Sequence, residues 1–162
     1  MSLPLRAFFA AGLAWLCLAG HAPAVAGSVE GDVTGWWLDE SKTAGILIQP
    51  CDDKMCGTLG WMLHPLTDQG QPKIDTRNPD EKLRGRPFCT MQIMGGFVKS
   101  GPGEWQDGWI YDPDGGDIYQ SHFALQPDGT LKLRGFIGIS LLGGSQIWTR
   151  PPQPPTPCTP PS

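Results

Sequence analysis

Short apolar runs that alternate with polar residues predict β-strands along most of the chain. Clusters of Gly, Pro and Asp separate these runs at hairpin spacing, for example at 99–103 and 126–129. Eight strands are predicted, at 32–40, 44–49, 58–63, 88–98, 104–111, 118–125, 131–139 and 145–150. This spacing favours an antiparallel meander over parallel βαβ units. The predicted fold class is therefore all-β, an eight-stranded up-and-down barrel with room for its own side chains or one small ligand.

One segment between the third and fourth strands departs from this pattern and carries a local helix signal. Asn78 is a suitable N-cap, Pro79 suits the first helical position, and Glu81 stands three residues after the cap. Gly85 offers a left-handed stop. We expect one short helical turn here. The two nearby arginines suggest a competing interpretation, an anion clamp built from Arg84 and Arg86 together with Asn78.

The N-terminal segment has the pattern of a secretory signal. Arg6 precedes an apolar stretch at 7–20, and small residues end at Ala26. The stretch is shorter than the roughly 20 apolar residues that cross a bilayer. Cys17 leaves a lipoprotein anchor as the alternative, although large residues precede it where a lipobox has small ones. We expect cleavage near Ala26, a periplasmic or secreted product, and no membrane span.

The chain thus divides into three expected parts. A signal peptide occupies 1–26, a barrel domain 27–150 and a proline-rich tail 151–162. The tail has seven prolines in twelve residues, which predicts an extended polyproline II segment that ends in solvent. Its single cysteine, Cys158, is able to reach back to Cys89 or to pair with a second molecule.

Four cysteines remain beyond the signal, and an oxidising compartment favours disulfides between them. Cys51 and Cys56 bracket a six-residue ring that contains the turn-forming pair Asp52-Asp53, so we expect these two to be bonded. The pairing of Cys89 and Cys158 stays open. A metal site fits poorly, because no second close cysteine pair and no histidine at ligand spacing accompany the first pair.

The amino-acid composition argues against several classes of function. The formal net charge of the 162 residues is −4, which argues against nucleic acid as a partner. Three histidines and no nucleophile motif leave little basis for catalysis, so we expect no enzymatic activity and no cofactor. His122 alternates with Phe123 on a strand and is expected to face solvent. The carboxylates of Asp112, Asp114 and Asp117 suggest calcium, but an Asp/Gly hairpin turn explains them equally well.

Several motifs together carry a family resemblance. They are Cys51 with Cys56-Gly57, Asp75, Asn78-Pro79-Asp80, Leu83-Arg84-x-Arg86-Pro87, Trp105-x-x-Gly108-x-Ile110-Tyr111-Asp112-Pro113, Gly116, Tyr119, Leu131-x-Leu133-Arg134-Gly135-Phe136-Ile137-Gly138 and Trp148-x-Arg150. Over about 33–150 the chain resembles the family catalogued as domain of unknown function 2147. The resemblance implies an exported bacterial protein with a lipocalin-like, calycin-type barrel, and it implies no established reaction. Cys89 stands where that pattern has glycine, and the Cys158 tail is an addition.

Lipocalins also carry Gly-x-Trp on the first strand and a basic residue near the end of the last. Gly35, Trp37 and Arg150 are similar to these elements and stand in the same order. A guanidinium stacked on an indole would plug one end of the barrel. We therefore interpret these three residues as structural.

Three function classes follow: a barrel that binds a small apolar or amphiphilic molecule, a cell-envelope interaction protein, and an enzyme that uses Asp75, Arg84 and Arg86. The fold favours the first, although fold alone is a weak guide to function. The candidate ligand-binding residues combine the loop polar groups with aromatic residues beside the turns: Asp75, Asn78, Arg84, Arg86, Trp105, Tyr111 and Tyr119. Nothing in the sequence indicates the oligomeric state.

Overall fold

Eight antiparallel strands follow one another in chain order in the computed structural model, which describes residues 31–159. The strands are β1 (Gly35–Leu38), β2 (Ala44–Cys51), β3 (Lys54–Met62), β4 (Met91–Gly101), β5 (Glu104–Asp112), β6 (Asp117–Leu125), β7 (Leu131–Phe136) and β8 (Gly143–Trp148). Leu38 and Thr149 form a bridge that joins the first and last strands, with backbone N–H···O bonds of 2.8 and 3.0 Å. The predicted all-β, up-and-down eight-stranded barrel is confirmed.

Several strand boundaries differ from the predicted ones, because a turn ends or begins earlier in the chain than the sequence pattern indicates. β7 ends at Phe136, three residues before the predicted end, because residues 137–142 curl into a loop with hydrogen bonds of its own. β3 begins at Lys54, because the hairpin after Cys51 is tight and pairs Cys51 directly with Lys54. No helix within residues 31–159 is long and apolar enough to span a membrane.

A single 3-10 turn, Glu81–Leu83, interrupts the long β3–β4 loop. The prediction that Asn78 caps it is wrong: Asp80 is the N-cap, and its carboxylate accepts a 3.0 Å hydrogen bond from the backbone N–H of Lys82. Asn78 is buried instead, and its side-chain amide donates to Asp75 at 2.7 Å. The predicted left-handed stop at Gly85 is also wrong, since the turn ends at Arg84 with an ordinary helical φ of −62°.

One end of the barrel, which we call the closed end, is filled by large side chains. Trp37 and Trp148 are buried there, and Phe97 packs on Phe123 with ring centroids 4.7 Å apart. Arg150 covers this end from outside, its guanidinium carbon 4.0 Å from the centroid of the Trp37 ring. The same guanidinium donates hydrogen bonds of 2.6 Å to the carbonyls of Thr34 and Asp32. These contacts are the ones that the similarity to lipocalins implies for Trp37 and Arg150.

Two disulfides fasten the chain. Cys51–Cys56 closes the β2–β3 hairpin, as predicted, with a Cα–Cα distance of 5.8 Å. Cys89–Cys158 has the same Cα–Cα distance and ties the tail to the chain two residues before β4 begins. The backbone N–H of Cys158 also donates to the carbonyl of Gly60 at 2.7 Å. The tail is therefore not a free end, because Cys158 is tethered, although most of residues 151–158 are exposed to solvent as predicted. The expected signal peptide lies outside the described residues.

Candidate functional site

The opposite end of the barrel is hollow. A cavity of about 780 Å³ opens where the β1–β2, β3–β4, β5–β6 and β7–β8 connections meet, and we call this the open end. Its lining combines polar side chains, mostly from the connections, with aliphatic side chains from strands around the barrel: Ile46, Leu59, Met62, Ile93, Ile110 and Leu133. The barrel is thus packed with aromatic side chains in one half and left open in the other.

A pair of glycines lines one level of the cavity. Gly135 on β7 lies directly opposite Gly144 on β8, and both residues line the cavity. A Cβ added at Gly144 would meet no atom within 4 Å, whereas one at Gly135 would be in ordinary contact with its neighbours. The last two strands therefore contribute only backbone at this level, and the facing pair Leu133 and Gln146 contributes side chains at the next.

The rim of the cavity is acidic. The turns of the open end place four carboxylates around it, those of Asp39, Glu40, Asp112 and Asp114. Asp39 is held by its own hairpin, since it accepts bonds of 2.8 Å from the backbone N–H groups of Thr43 and Ala44. Lys73 is the one lysine or arginine among the described lining residues, and His64 lies beside it. The electrostatic potential at the mouth therefore favours neutral or cationic groups over anions.

A hydrogen-bonded cluster lies next to the cavity, with Asp75 at its centre. Asp75 has no exposed surface. Its Oδ1 accepts a 2.5 Å bond from the hydroxyl of Tyr111, and its Oδ2 accepts from Asn78 Nδ2 at 2.7 Å. Arg86 completes the cluster, because its Nε and Nη2 lie 3.0 and 2.9 Å from the same Oδ2. Both oxygens of this buried carboxylate therefore have hydrogen-bond donors, and its charge is paired with that of Arg86.

The cluster fixes the long loop against β5. Burial, and next the hydrogen bond to Asp75, raise the pKa of the Tyr111 hydroxyl to about 12, so it stays a donor at all physiological pH values. Arg86 lies 5.7 Å from the centroid of the Tyr111 ring. Phe88, two residues along, is buried and lines the cavity. The cluster therefore holds one wall of the cavity in position.

The other candidate residues are dispersed. Tyr119 lines the cavity, and burial together with the charges of Asp117 and Asp112 raises its pKa. Arg84 lies outside, paired with Glu81 at 3.2 Å and donating through Nε to the carbonyl of Asn78 at 2.9 Å. Trp105 stands at the closed end, at the start of β5, where it stacks on Phe123 at 6.1 Å.

The residues that sequence reasoning missed are the two glycines and the acidic rim. Two glycines that face inward on neighbouring strands indicate a cavity, but they can be recognised as a pair only when the β7–β8 register is known. The rim acids belong to two distant parts of the sequence, the β1–β2 and β5–β6 connections, which only the barrel brings together.

The histidines and the acidic turn occupy separate places. His64 lies at the rim, whereas His122 lies on β6 with its ring against Phe136, centroids 5.8 Å apart. Within residues 31–159 no group of three His, Cys, Asp or Glu side chains is arranged to hold a metal ion. Asp112 instead caps its own turn, accepting a 3.0 Å bond from the backbone N–H of Asp114.

Comparison with known proteins places the chain in a family. Residues 35–150 match the family described as "Uncharacterized protein conserved in bacteria (DUF2147)". No curated protein gives a significant match. A solved structure described as protein HP1028 from the human pathogen Helicobacter pylori, which belongs to the lipocalin family, superposes with a TM-score of 0.65 at 18% identity. That match covers 74% of this chain and 82% of the Helicobacter chain.

These matches support two statements. The family match covers most of the chain, so the protein belongs to the DUF2147 family. The structural similarity shows that it shares the lipocalin-like fold.

Proposed function

We propose that this DUF2147 protein binds one small, largely apolar molecule in the cavity at the open end of its barrel. The observation that carries the proposal is the division of the barrel into a filled half and a hollow half whose strands contribute aliphatic side chains below a polar rim. A barrel stabilised only by its own side chains gains nothing from an empty half, because unfilled apolar space costs stability. The cavity volume of about 780 Å³ also falls within the roughly 300–1,000 Å³ of small-molecule sites.

The polar end of the ligand is neutral or cationic in this proposal. Arg86 is committed to the buried carboxylate of Asp75, and Arg84 to Glu81 and to a backbone carbonyl. Neither arginine lines the cavity, so the anion clamp considered from the sequence has no cation to offer there. Four rim carboxylates face one lysine, which disfavours a ligand carboxylate or phosphate.

The enzyme hypothesis has the weakest support. Asp75 has no exposed surface, and its two oxygens already accept bonds from Tyr111, Asn78 and Arg86. A substrate would have to break this cluster to reach the carboxylate. Asp75 fits a structural role better than a catalytic one.

We also propose that the protein is exported from the cytoplasm. Two disulfides indicate an oxidising compartment, and the family is bacterial. Together with the signal-like pattern ending at Ala26, these features support a periplasmic or secreted protein that carries or senses its ligand outside the cytoplasm.

The direct test is a fluorescence titration with the neutral apolar probe N-phenyl-1-naphthylamine. We expect saturable binding with one site per chain. The variant Gly144→Leu fills the cavity from β8, and we expect it to abolish saturable binding. Gly85→Leu is the matched control, because Gly85 has open space around it, has no left-handed φ and lies away from the cavity. If both variants bind the probe equally well, the proposal that the cavity is the binding site is contradicted.

The head-group preference has its own test. Decyltrimethylammonium and decanoate share an apolar chain and differ in the sign of the head group. We expect the cation to displace the probe up to about fivefold more tightly, because one exposed charge pair at the rim contributes up to about 1 kcal/mol. Tighter displacement by decanoate would show that Lys73, and not the rim acids, sets the preference.

A further inference from the structure

The β7–β8 loop carries an unusual concentration of exposed aliphatic side chains. Residues 137–142, which we call the apolar tip, include Ile137, Ile139, Leu141 and Leu142, exposed by 66, 62, 86 and 67%. The tip contains no charged residue. It stands at the open end, since β7 leads into it and Gly144, just beyond it, lines the cavity. A soluble surface rarely presents such a cluster without a partner.

Three of the six backbone N–H groups of the apolar tip donate within the chain. Ile137 donates to the carbonyl of Leu142 at 3.2 Å, and Leu142 donates to that of Ile139 at 2.9 Å. Ile139 in turn donates to the carbonyl of Ile137 at 2.9 Å. The other three N–H groups need water or lipid head groups as partners, since a hydrocarbon layer offers none. The backbone of the tip therefore fits the head-group layer of a membrane, where only its aliphatic side chains reach the hydrocarbon.

Arg134 satisfies the carbonyls at the far end of the tip. Its Nε donates to the carbonyl of Ser140 at 2.7 Å and its Nη2 to that of Leu141 at 3.4 Å. Its Nη1 bonds the hydroxyl of Ser145 at 3.1 Å, which anchors the guanidinium to β8. The cation thus stays at the base of the hairpin, at the depth of lipid head groups when the side chains of the tip are immersed.

We propose that the apolar tip inserts into the surface of a lipid bilayer and so brings the open end of the barrel to the membrane. This docking goes beyond ligand binding, because it assigns a surface and a partner that the cavity alone does not require. A protein partner fits less well: protein interfaces are anchored by Trp, Tyr and Arg, and the tip offers Ile and Leu side chains with a single Ser. The tip is also only six residues long, whereas each partner of a stable protein complex contributes about 20–30 residues.

Charge narrows the choice of membrane surface. The acidic rim, including Asp39 and Asp112, lies at the same end as the tip. An anionic bilayer would repel these carboxylates, whereas a zwitterionic one would not. The partner that fits is therefore a bilayer rich in zwitterionic lipid.

Flotation of the full chain with vesicles of phosphatidylcholine and phosphatidylethanolamine tests the proposal. We expect the parent to float and Leu141→Ser/Leu142→Ser to reduce its partition coefficient about a hundredfold, from two leucines left in water. The matched control is Val98→Ser/Leu83→Ser, two exposed aliphatic residues at other sites, which should float like the parent. Vesicles with one-third phosphatidylglycerol should bind the parent more weakly, and added salt should restore the binding.

Three outcomes would overturn the proposal. These are a parent that stays unbound on zwitterionic vesicles, a tip variant that floats like the parent, and a lipid-free parent dimer that the tip variant converts to monomers. The last would show that a second copy covers the tip. Titration with N-phenyl-1-naphthylamine separates this proposal from ligand binding: a tip variant that binds the probe but not vesicles supports docking as a distinct property. A parent that binds vesicles but not the probe would leave docking standing and the cavity proposal refuted.

Discussion

Tyr111 donates a 2.5 Å hydrogen bond to Asp75, a buried carboxylate 36 residues away in the sequence. The bond joins β5 to the long loop between β3 and β4, and it does so beside Phe88, which lines the cavity. The polar residues that the sequence marks most strongly therefore lie behind one wall of the cavity. The cavity itself is lined by aliphatic and polar side chains, two glycines and the four rim carboxylates.

Removing the Tyr111 hydroxyl should destabilise the fold. Tyr111→Phe leaves a lone pair of the buried Asp75 carboxylate unsatisfied, and we expect a loss of about 1–3 kcal/mol in the free energy of unfolding. Denaturant titration measures it. Tyr119→Phe is the control and should stay within about 0.5 kcal/mol of the parent, because no buried group depends on that hydroxyl. Equal stability of the two variants would show that the cluster does not fasten the loop.

An alkaline titration should detect the raised pKa of the Tyr111 hydroxyl. The pKa of Tyr111 is raised to about 12 in the folded protein, against an ordinary value of 10.0. The folded state keeps a proton that the unfolded state loses, so stability is complete below pH 10 and falls as the pH rises from 10 to 12. In Tyr119→Phe, absorbance near the tyrosinate band reports Tyr111 alone, since the chain has two tyrosines. Ionisation at pH 10 in the folded variant would contradict this assignment.

The closed end should depend on Trp37 more than on Arg150. Trp37 is fully buried, and its indole donates to the carbonyl of Val33 at 2.8 Å. We expect Trp37→Ala to lower the free energy of unfolding by about 3–5 kcal/mol. Arg150→Ala should cost less, because its guanidinium is partly exposed and water can replace some of its hydrogen bonds. Thermal unfolding compares them, and a Trp37→Ala variant that melts like the parent would refute the role assigned to this residue.

The two disulfides should contribute unequally to the free energy of unfolding. Cys89–Cys158 spans 69 residues and Cys51–Cys56 spans 5, so the long link restricts the unfolded chain more. Loop-closure entropy gives about 4 kcal/mol for the first and about 2 for the second. We expect Cys89→Ser/Cys158→Ser to unfold at a lower denaturant concentration than Cys51→Ser/Cys56→Ser. The reverse order would mean that the tail adds little to the stability of the barrel.

Local pattern was sufficient to predict the strands and their order. Period-two alternation and Gly/Pro/Asp turns are set by neighbouring residues, and they indicated eight strands in an up-and-down barrel. Closure at Leu38 and Thr149 followed from the number of strands.

Features that depend on distant partners could not be predicted in this way. Asn78 is as good a cap as Asp80 locally, but Asn78 donates to Tyr111, 33 residues away, at 3.3 Å and is drawn inward. The hollow half depends on the fact that Gly135 and Gly144 both face inward, which requires the β7–β8 register. The pairing of Cys89 with Cys158 likewise depends on how the tail crosses the barrel.

Native mass spectrometry of the protein, purified without detergent from the cells that make it, tests the central claim most directly. We expect part of the parent to carry one small molecule of defined mass, which is lost at higher collision energy and is absent from Gly144→Leu purified in the same way. Gly85→Leu should retain it. A spectrum that contains only the bare chain, from parent protein that also fails to bind N-phenyl-1-naphthylamine, would contradict the account.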